Sequence, residues 1–272
     1  VRNLVVFISL IPFATFGQLN VLSQGDWFKI GVTEEGIYKI DKAFLDQIGI
    51  DYSDPNTIKI FGNGVGMLPQ ANDAERPAGL LENSLKAYGL EDGTFHNTDQ
   101  LLFYAKGPNN FTWSVDHWVF EKNNYCDTSY YFITSGGAKG ARISEQSALP
   151  EQSSITNSFM ARIAHEQDEE NLLGNSGKMW LERYFRSGES RNYQFHTPNA
   201  LSTVNASIRI VGRSDLDGAF EVFHNGSFLG SIPYENILTG TGSTYEIKGN
   251  IQTGEFQFIP QSTETILGLT LP

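Results

Sequence analysis

The sequence predicts a mostly β protein of two β-rich, sandwich-like domains, with one short helix near residues 41–48. Three observations carry this. The 272 residues include 19 Phe, 11 Tyr and 27 Gly, a mixture that suits strands joined by glycine turns. Apolar residues alternate with polar ones in many short runs, the period of a half-buried strand. A stretch rich in Gly, Ser and Gln, SGGAKGARISEQSALPEQSSITNS at 135–158, separates two such regions.

The N-terminus stands apart. Arg2 is followed by an apolar run from Leu4 to Phe16, then Thr15-Phe16-Gly17 before Gln18. A positive charge, a short apolar run and small residues before a cut form an export signal, with cleavage expected between Gly17 and Gln18 and an apolar N-terminal core strand as the alternative. The run is shorter than the roughly 20 residues that cross a bilayer. The expected organisation is a signal peptide over 1–17, an N-terminal β-rich domain over 18–134, a linker or long loop over 135–158, and a second sandwich-like domain over 159–272, open to truncation at its end. A chain with such a signal is expected to be exported.

After the signal, Trp27–Val32 and Gly36–Ile40 read as strands with Thr33-Glu34-Glu35 in a turn. Asp41 suits a helix N-cap; Phe44, Leu45 and Ile48 follow at helical spacing, and Gly49 suits the stop. Thr57–Phe61 is a strand. Asp92-Gly93 signals a hairpin between Leu85–Leu90 and Gln100–Tyr104. Trp118–Phe120 and Tyr130–Thr134 are further strands. In the second half Val204, Ala206, Ile208 and Ile210 alternate with Asn205, Ser207 and Arg209, and Asn225-Gly226 signals a tight turn toward Ser227–Ile232. Phe256 and Phe258 flank Gln257 in another strand.

The net charge of -12 opposes nucleic acid as a partner, since phosphate binding needs clustered Lys and Arg. With the single cysteine Cys126, neither an internal disulfide nor a multi-thiolate metal site can form. Gly62-Asn63-Gly64-Val65-Gly66 follows a strand, as a phosphate-binding loop would. Its third glycine comes one residue early, Pro69 stands where a helix should run, and no Lys-Ser or Lys-Thr follows, so a turn is the better reading. His165-Glu166-Gln167-Asp168-Glu169 lacks the second His of a zinc-peptidase helix. That acidic cluster, with Glu170, and Ser214-Asp215-Leu216-Asp217-Gly218 read as solvated polar turns, with a calcium site as the alternative. Cys126 and His117 co-occur without an evident oxyanion loop, which argues against nucleophilic catalysis. The aromatic run Phe103, Tyr104, Phe111, Trp113, Trp118, Phe120, Tyr125, Tyr130, Tyr131 and Phe132 reads as core, with an exposed sugar or protein platform as the alternative. No catalytic, cofactor-binding or metal residue is expected.

Several stretches together resemble a known family. GDWFKIGVTEEGIYKIDKAFLDQIGI, IKIFGNGVGMLPQ, DGTFHNTDQLLFYAKGPNNFTWSVD, NNYCDTSYYFIT and HEQDEENLLGNSGKMWLERYF stand in the order of the N-terminal region of the PorU family. These are the gingipain-like sortases of the type IX secretion system of Bacteroidetes. The chain departs from the family at Leu181, where a Gly is usual, and at Cys126, where a Ser is common. The resemblance implies a parent cysteine endopeptidase and transpeptidase. Such an enzyme removes C-terminal sorting domains of secreted cargo and attaches the cargo to surface lipopolysaccharide. It also implies a PorV-like outer-membrane barrel partner. The peptidase domain of the family lies C-terminal to this region, and its His and Cys have no counterpart here. The implied role of residues 18–272 is a non-catalytic scaffold or docking region. The alternative is a self-standing secreted β-sandwich module that binds a glycan or a surface protein.

Overall fold

The computed structural model describes residues 20–64, 66–69, 71–115, 117–147, 156–169, 179–238, 240 and 247–272. The signal peptide and its cleavage point at Gly17 and Gln18 lie outside them. The protein is mostly β, and its backbone divides into two compact units, Val1–Asn157 and Ser158–Pro272.

The first unit opens with β1 (Phe28–Val32) and β2 (Gly36–Asp41). These strands do not pair with each other. β1 pairs with a late strand, Phe28 opposite Ile133, whereas β2 joins a different sheet, Tyr38 opposite Phe103. The turn between them therefore hands the chain from one sheet to the other. Helix α1 (Lys42–Ile48) follows directly. Asp41 caps it by accepting the Phe44 N–H at 3.0 Å, and Gly49 ends it in the left-handed conformation at φ 72°.

The remaining strands of this unit are β3 (Lys59–Phe61), β4 (Glu82–Asn83), β5 (Lys86–Tyr88), β6 (Gln100–Ala105), β7 (Asn110–Ser114), β8 (His117–Glu121) and β9 (Ser129–Thr134). They form a four-stranded sheet in the order β1-β9-β3-β4, a three-stranded sheet β2-β6-β5 and a separate β7-β8 hairpin. The two larger sheets and α1 share one core of Ile40, Leu45, Ile60, Leu101, Phe103, Tyr131 and Ile133. Each such side chain contributes about 1.5–3 kcal/mol by leaving water. β5 and β6 pair as Asp92-Gly93 suggests, Lys86 opposite Leu102, but through a loop rather than a two-residue turn. In that loop Asp92 accepts the Thr94 N–H and Asp99 accepts the His96 N–H.

Residues 135–143, which composition reads as loop or junction, are irregular but anchored. Arg142 bridges to Leu85, and its guanidinium donates to the carbonyls of Pro55, Asn56, Ile58 and Ala141 at 3.0–3.1 Å. Burial lowers its pKa from the ordinary arginine value.

The second unit contains β10 (Glu189–His196), β11 (Val204–Gly212), β12 (Gly218–His224), β13 (Ser227–Tyr234), β14 (Asn250–Phe258) and β15 (Glu264–Leu271). One sheet runs β10-β15-β12-β13, and β11-β14 is a two-stranded ribbon. The β12-β13 hairpin turns at Asn225 and Gly226, both at positive φ (48° and 81°), as a tight hairpin turn demands. Ile210, Phe220, Val222, Ile232 and Leu269 form the core, with Ile208 and Phe256 packed on it. Beside β10 the cover is irregular chain. The His165 ring lies 4.9 Å from that of Tyr193, and Phe185 meets Phe220 edge-on at 5.1 Å.

Candidate functional site

The glycine-rich stretch after β3 is a turn stitched to the segment that leads into β4. Gly62 N–H donates to the Leu81 carbonyl at 2.9 Å. Asn63 accepts from the Leu81 N–H and donates to the Gly79 carbonyl, both at 2.9 Å. Asn83 closes the seam by donating to the Gly62 carbonyl at 3.0 Å. Gly62 has no room for a side chain, because a β-carbon would stand 2.4 Å from Tyr131 Cδ1. Where a dinucleotide site would start a helix, residues 67–69 and 71–76 run as a loop. The Arg76 guanidinium holds it together, donating to the Pro69 and Ala71 carbonyls at 2.7 and 2.9 Å. These glycines turn a corner and admit an aromatic ring.

The turn borders a shallow cleft of about 240 Å³. Tyr131 lies beneath it, and Asn63, Glu82, Asn83, Tyr104 and Lys106 line it. The buried Tyr131 hydroxyl accepts the Lys106 N–H at 2.8 Å and donates to the Lys106 carbonyl at 3.3 Å. Tyr104 is fixed by its hydroxyl, which donates to Glu35.

Cys126 is exposed, in the connection from β8 to β9. Its backbone N–H donates to Asn123 Oδ1 at 3.2 Å, as does that of Tyr125 at 2.9 Å. An Asn-capped turn of this kind leaves neither N–H directed at an acyl oxyanion. His117 lies on β8, opposite Ser114.

Residues 166–169, directly after His165, are not helical. Its Nε2 lies 3.7 Å from Glu182 Oε2, and the Glu169 N–H donates to the Leu181 carbonyl. Glu182 also accepts the Tyr193 hydroxyl at 3.1 Å. Burial, and then the Glu182 charge, push the Tyr193 pKa up to about 12. Arg191 stacks 4.0 Å above Phe185, pairs with Glu189 at 2.9 Å and donates to the Tyr184 carbonyl at 2.6 Å. This polar cluster ties the irregular cover to β10. Sequence reasoning had not joined its members; the signal for Glu182 was its place inside the family-like segment MWLERYF.

In the other acidic turn Asp217 accepts the Asn236 N–H and side-chain amide, both at 2.7 Å. These bonds hold its pKa below the usual carboxylate range, the backbone one foremost. Among the described residues no three His, Cys, Asp or Glu side chains converge as a metal site.

The aromatic run divides, which corrects the expectation that it is core. Phe103 and Tyr131 are buried, but Trp113 is 51% exposed, Trp118 37% and Tyr125 68%. The two tryptophans face each other across the β7-β8 hairpin, ring centres 5.2 Å apart and T-shaped. A two-stranded hairpin has only one neighbour per strand, so alternation in its sequence cannot announce a covered face.

No protein-family model matches the chain, and no curated protein matches it. Among solved structures the fold is similar to the crystal structure of dimeric latent PorU from Porphyromonas gingivalis, with a TM-score of 0.68 and 19% identity. The likeness covers 93% of this chain and 23% of the solved one, so the chain spans about a quarter of that protein's length.

Proposed function

We propose that this chain is the N-terminal, non-catalytic region of a PorU-like sortase, exported to the cell surface, and that it supports the peptidase domain and docks it at the outer membrane. The observation that supports this most is the shared fold over 93% of the chain, beside the ordered sequence motifs. The parent activity would be removal of C-terminal sorting domains from cargo and transfer of the new carboxyl end to surface lipopolysaccharide. The residues here fit a supporting role. The one cysteine sits in an Asn-capped turn, and the polar cluster around Glu182 holds backbone together. A PorV-like barrel is the proposed membrane partner. The test is incubation of the purified chain with a cargo protein that carries its sorting domain. The reading expects intact cargo after the chain alone and processed cargo after the full-length enzyme. Cleavage by the chain alone would overturn it.

The exposed Trp113–Trp118 pair favours a second reading, a binding module for a glycan or a surface protein. Trp113→Ala with Trp118→Ala would then abolish binding while the first unit stays folded.

A further inference from the structure

The cleft beside the glycine turn is a candidate binding site that neither reading above requires. We infer that it takes one neutral pyranose ring of a glycan. Four features carry this. The first is an immobilised aromatic face. Tyr104 is 48% exposed, yet its hydroxyl is tied to Glu35, so the ring is held in place as a wall. A fixed ring loses little freedom when the C–H face of a sugar stacks on it. The second is an uncommitted donor. The Lys106 ammonium makes no hydrogen bond or ion pair with any described residue, although its backbone is pinned on both sides by Tyr131. The third is a pair of acceptors. Glu82 uses Oε1 to accept the Ala141 N–H at 2.6 Å, which leaves Oε2. Asn83 commits its amide nitrogen to the Gly62 and Leu81 carbonyls, which leaves its amide oxygen.

The fourth is open space kept by a glycine. Gly64 sits at φ 82°, and a β-carbon there would touch Lys106 Cδ at 3.5 Å. A longer side chain would extend beside Lys106, at the cleft's rim. The left-handed backbone independently favours glycine at this position.

Charge then selects among ligands. A lone carboxylate would meet Glu82 as well as Lys106, and a lone amine would meet Lys106 as well as Glu82. A hydroxylated ring satisfies both, because each hydroxyl donates to one group and accepts from another. The small volume suits a single ring rather than a chain lying lengthwise.

The experiment is saturation-transfer NMR on the purified chain with methyl glucoside, methyl galactoside, methyl mannoside and N-acetylglucosamine, beside glucuronate and glucosamine. Transfer to at least one neutral sugar at millimolar concentration is expected. Tyr104→Ala should weaken it about tenfold, the scale of one lost stacking contact. Tyr104→Phe keeps the ring but frees it from Glu35, so it should bind more weakly than the native chain and more tightly than Tyr104→Ala, which separates loss of stacking from loss of fold. Lys106→Ala should weaken binding without lowering the melting temperature. The inference is overturned by no transfer to any neutral sugar, by preference for glucuronate or glucosamine, or by transfer that survives Tyr104→Ala. Transfer lost only on Trp113→Ala also overturns it, in favour of the hairpin. None of these outcomes bears on cargo cleavage, so the inference and the proposed function fail separately.

Discussion

Gly62 and Tyr131 are packed so closely that a β-carbon on the glycine would stand 2.4 Å from Tyr131 Cδ1 and 2.8 Å from Cε1. Tyr131 is 1% exposed and meets Phe103 edge-on at 5.5 Å, so its ring cannot retreat without disturbing the core. Gly62→Ala is expected to destabilise the first unit by about 1–3 kcal/mol, the cost of overpacking. Urea unfolding measures this. A double-mutant cycle with Tyr131→Val should show strong non-additivity, because the smaller side chain removes the clash. Additive effects would mean the two residues are not in contact.

Arg142 fastens residues 140–143 to the turn at 55–58 through a fork of carbonyl contacts. A lysine ammonium cannot reproduce that planar fork. Arg142→Lys should therefore lose about 2 kcal/mol, close to Arg142→Ala, since hydrogen bonds to charged groups carry about 1.5–3 kcal/mol each in favourable cases. Thermal unfolding that finds lysine equivalent to arginine would show that charge alone suffices.

Tyr193 links stability to alkaline pH. Its pKa is raised from 10.0 to about 12 in the folded chain, by burial first and by Glu182 second. An acid whose folded pKa lies above its unfolded value stays protonated in the folded state while the unfolded state ionises. Its contribution is whole below pH 10 and is lost as pH rises through about 12. Melting temperature should fall across that window, and Tyr193→Phe should flatten the fall. An equal fall in both proteins would assign the effect to other groups. The size is modest, because Tyr193 is only partly buried and solvent screens it.

Cys126 is an exposed thiol with no structural bond through sulfur. Iodoacetamide should label it fully in the native chain. Cys126→Ser should change stability by less than about 0.5 kcal/mol, the usual range for surface changes. Protection from labelling would place the thiol in an interior that the fold does not give it.

Local structure was legible in the sequence where one residue controls it. Asp41 and Gly49 announce both ends of α1, and Asn225-Gly226 announces its hairpin, because caps and positive-φ turns need particular side chains. Pairing was less legible. β1 and β2 are adjacent in sequence and go to different sheets, since the hydrophobic partner of Phe28 is Ile133, far along the chain. The candidate cleft was least legible. Gly64 was visible only as a turn residue, and neither Glu82 nor Lys106 carries a motif. They meet because Gly62 lets β3 pass over Tyr131, a contact that no local pattern encodes.

The most direct test of the central claim is an immunoblot of the native cell envelope with an antibody raised against residues 18–272. The account predicts a band far above 30.2 kDa, the front of a longer enzyme whose catalytic Cys and His lie beyond Pro272. A band near 30.2 kDa would contradict it and leave a free-standing binding module.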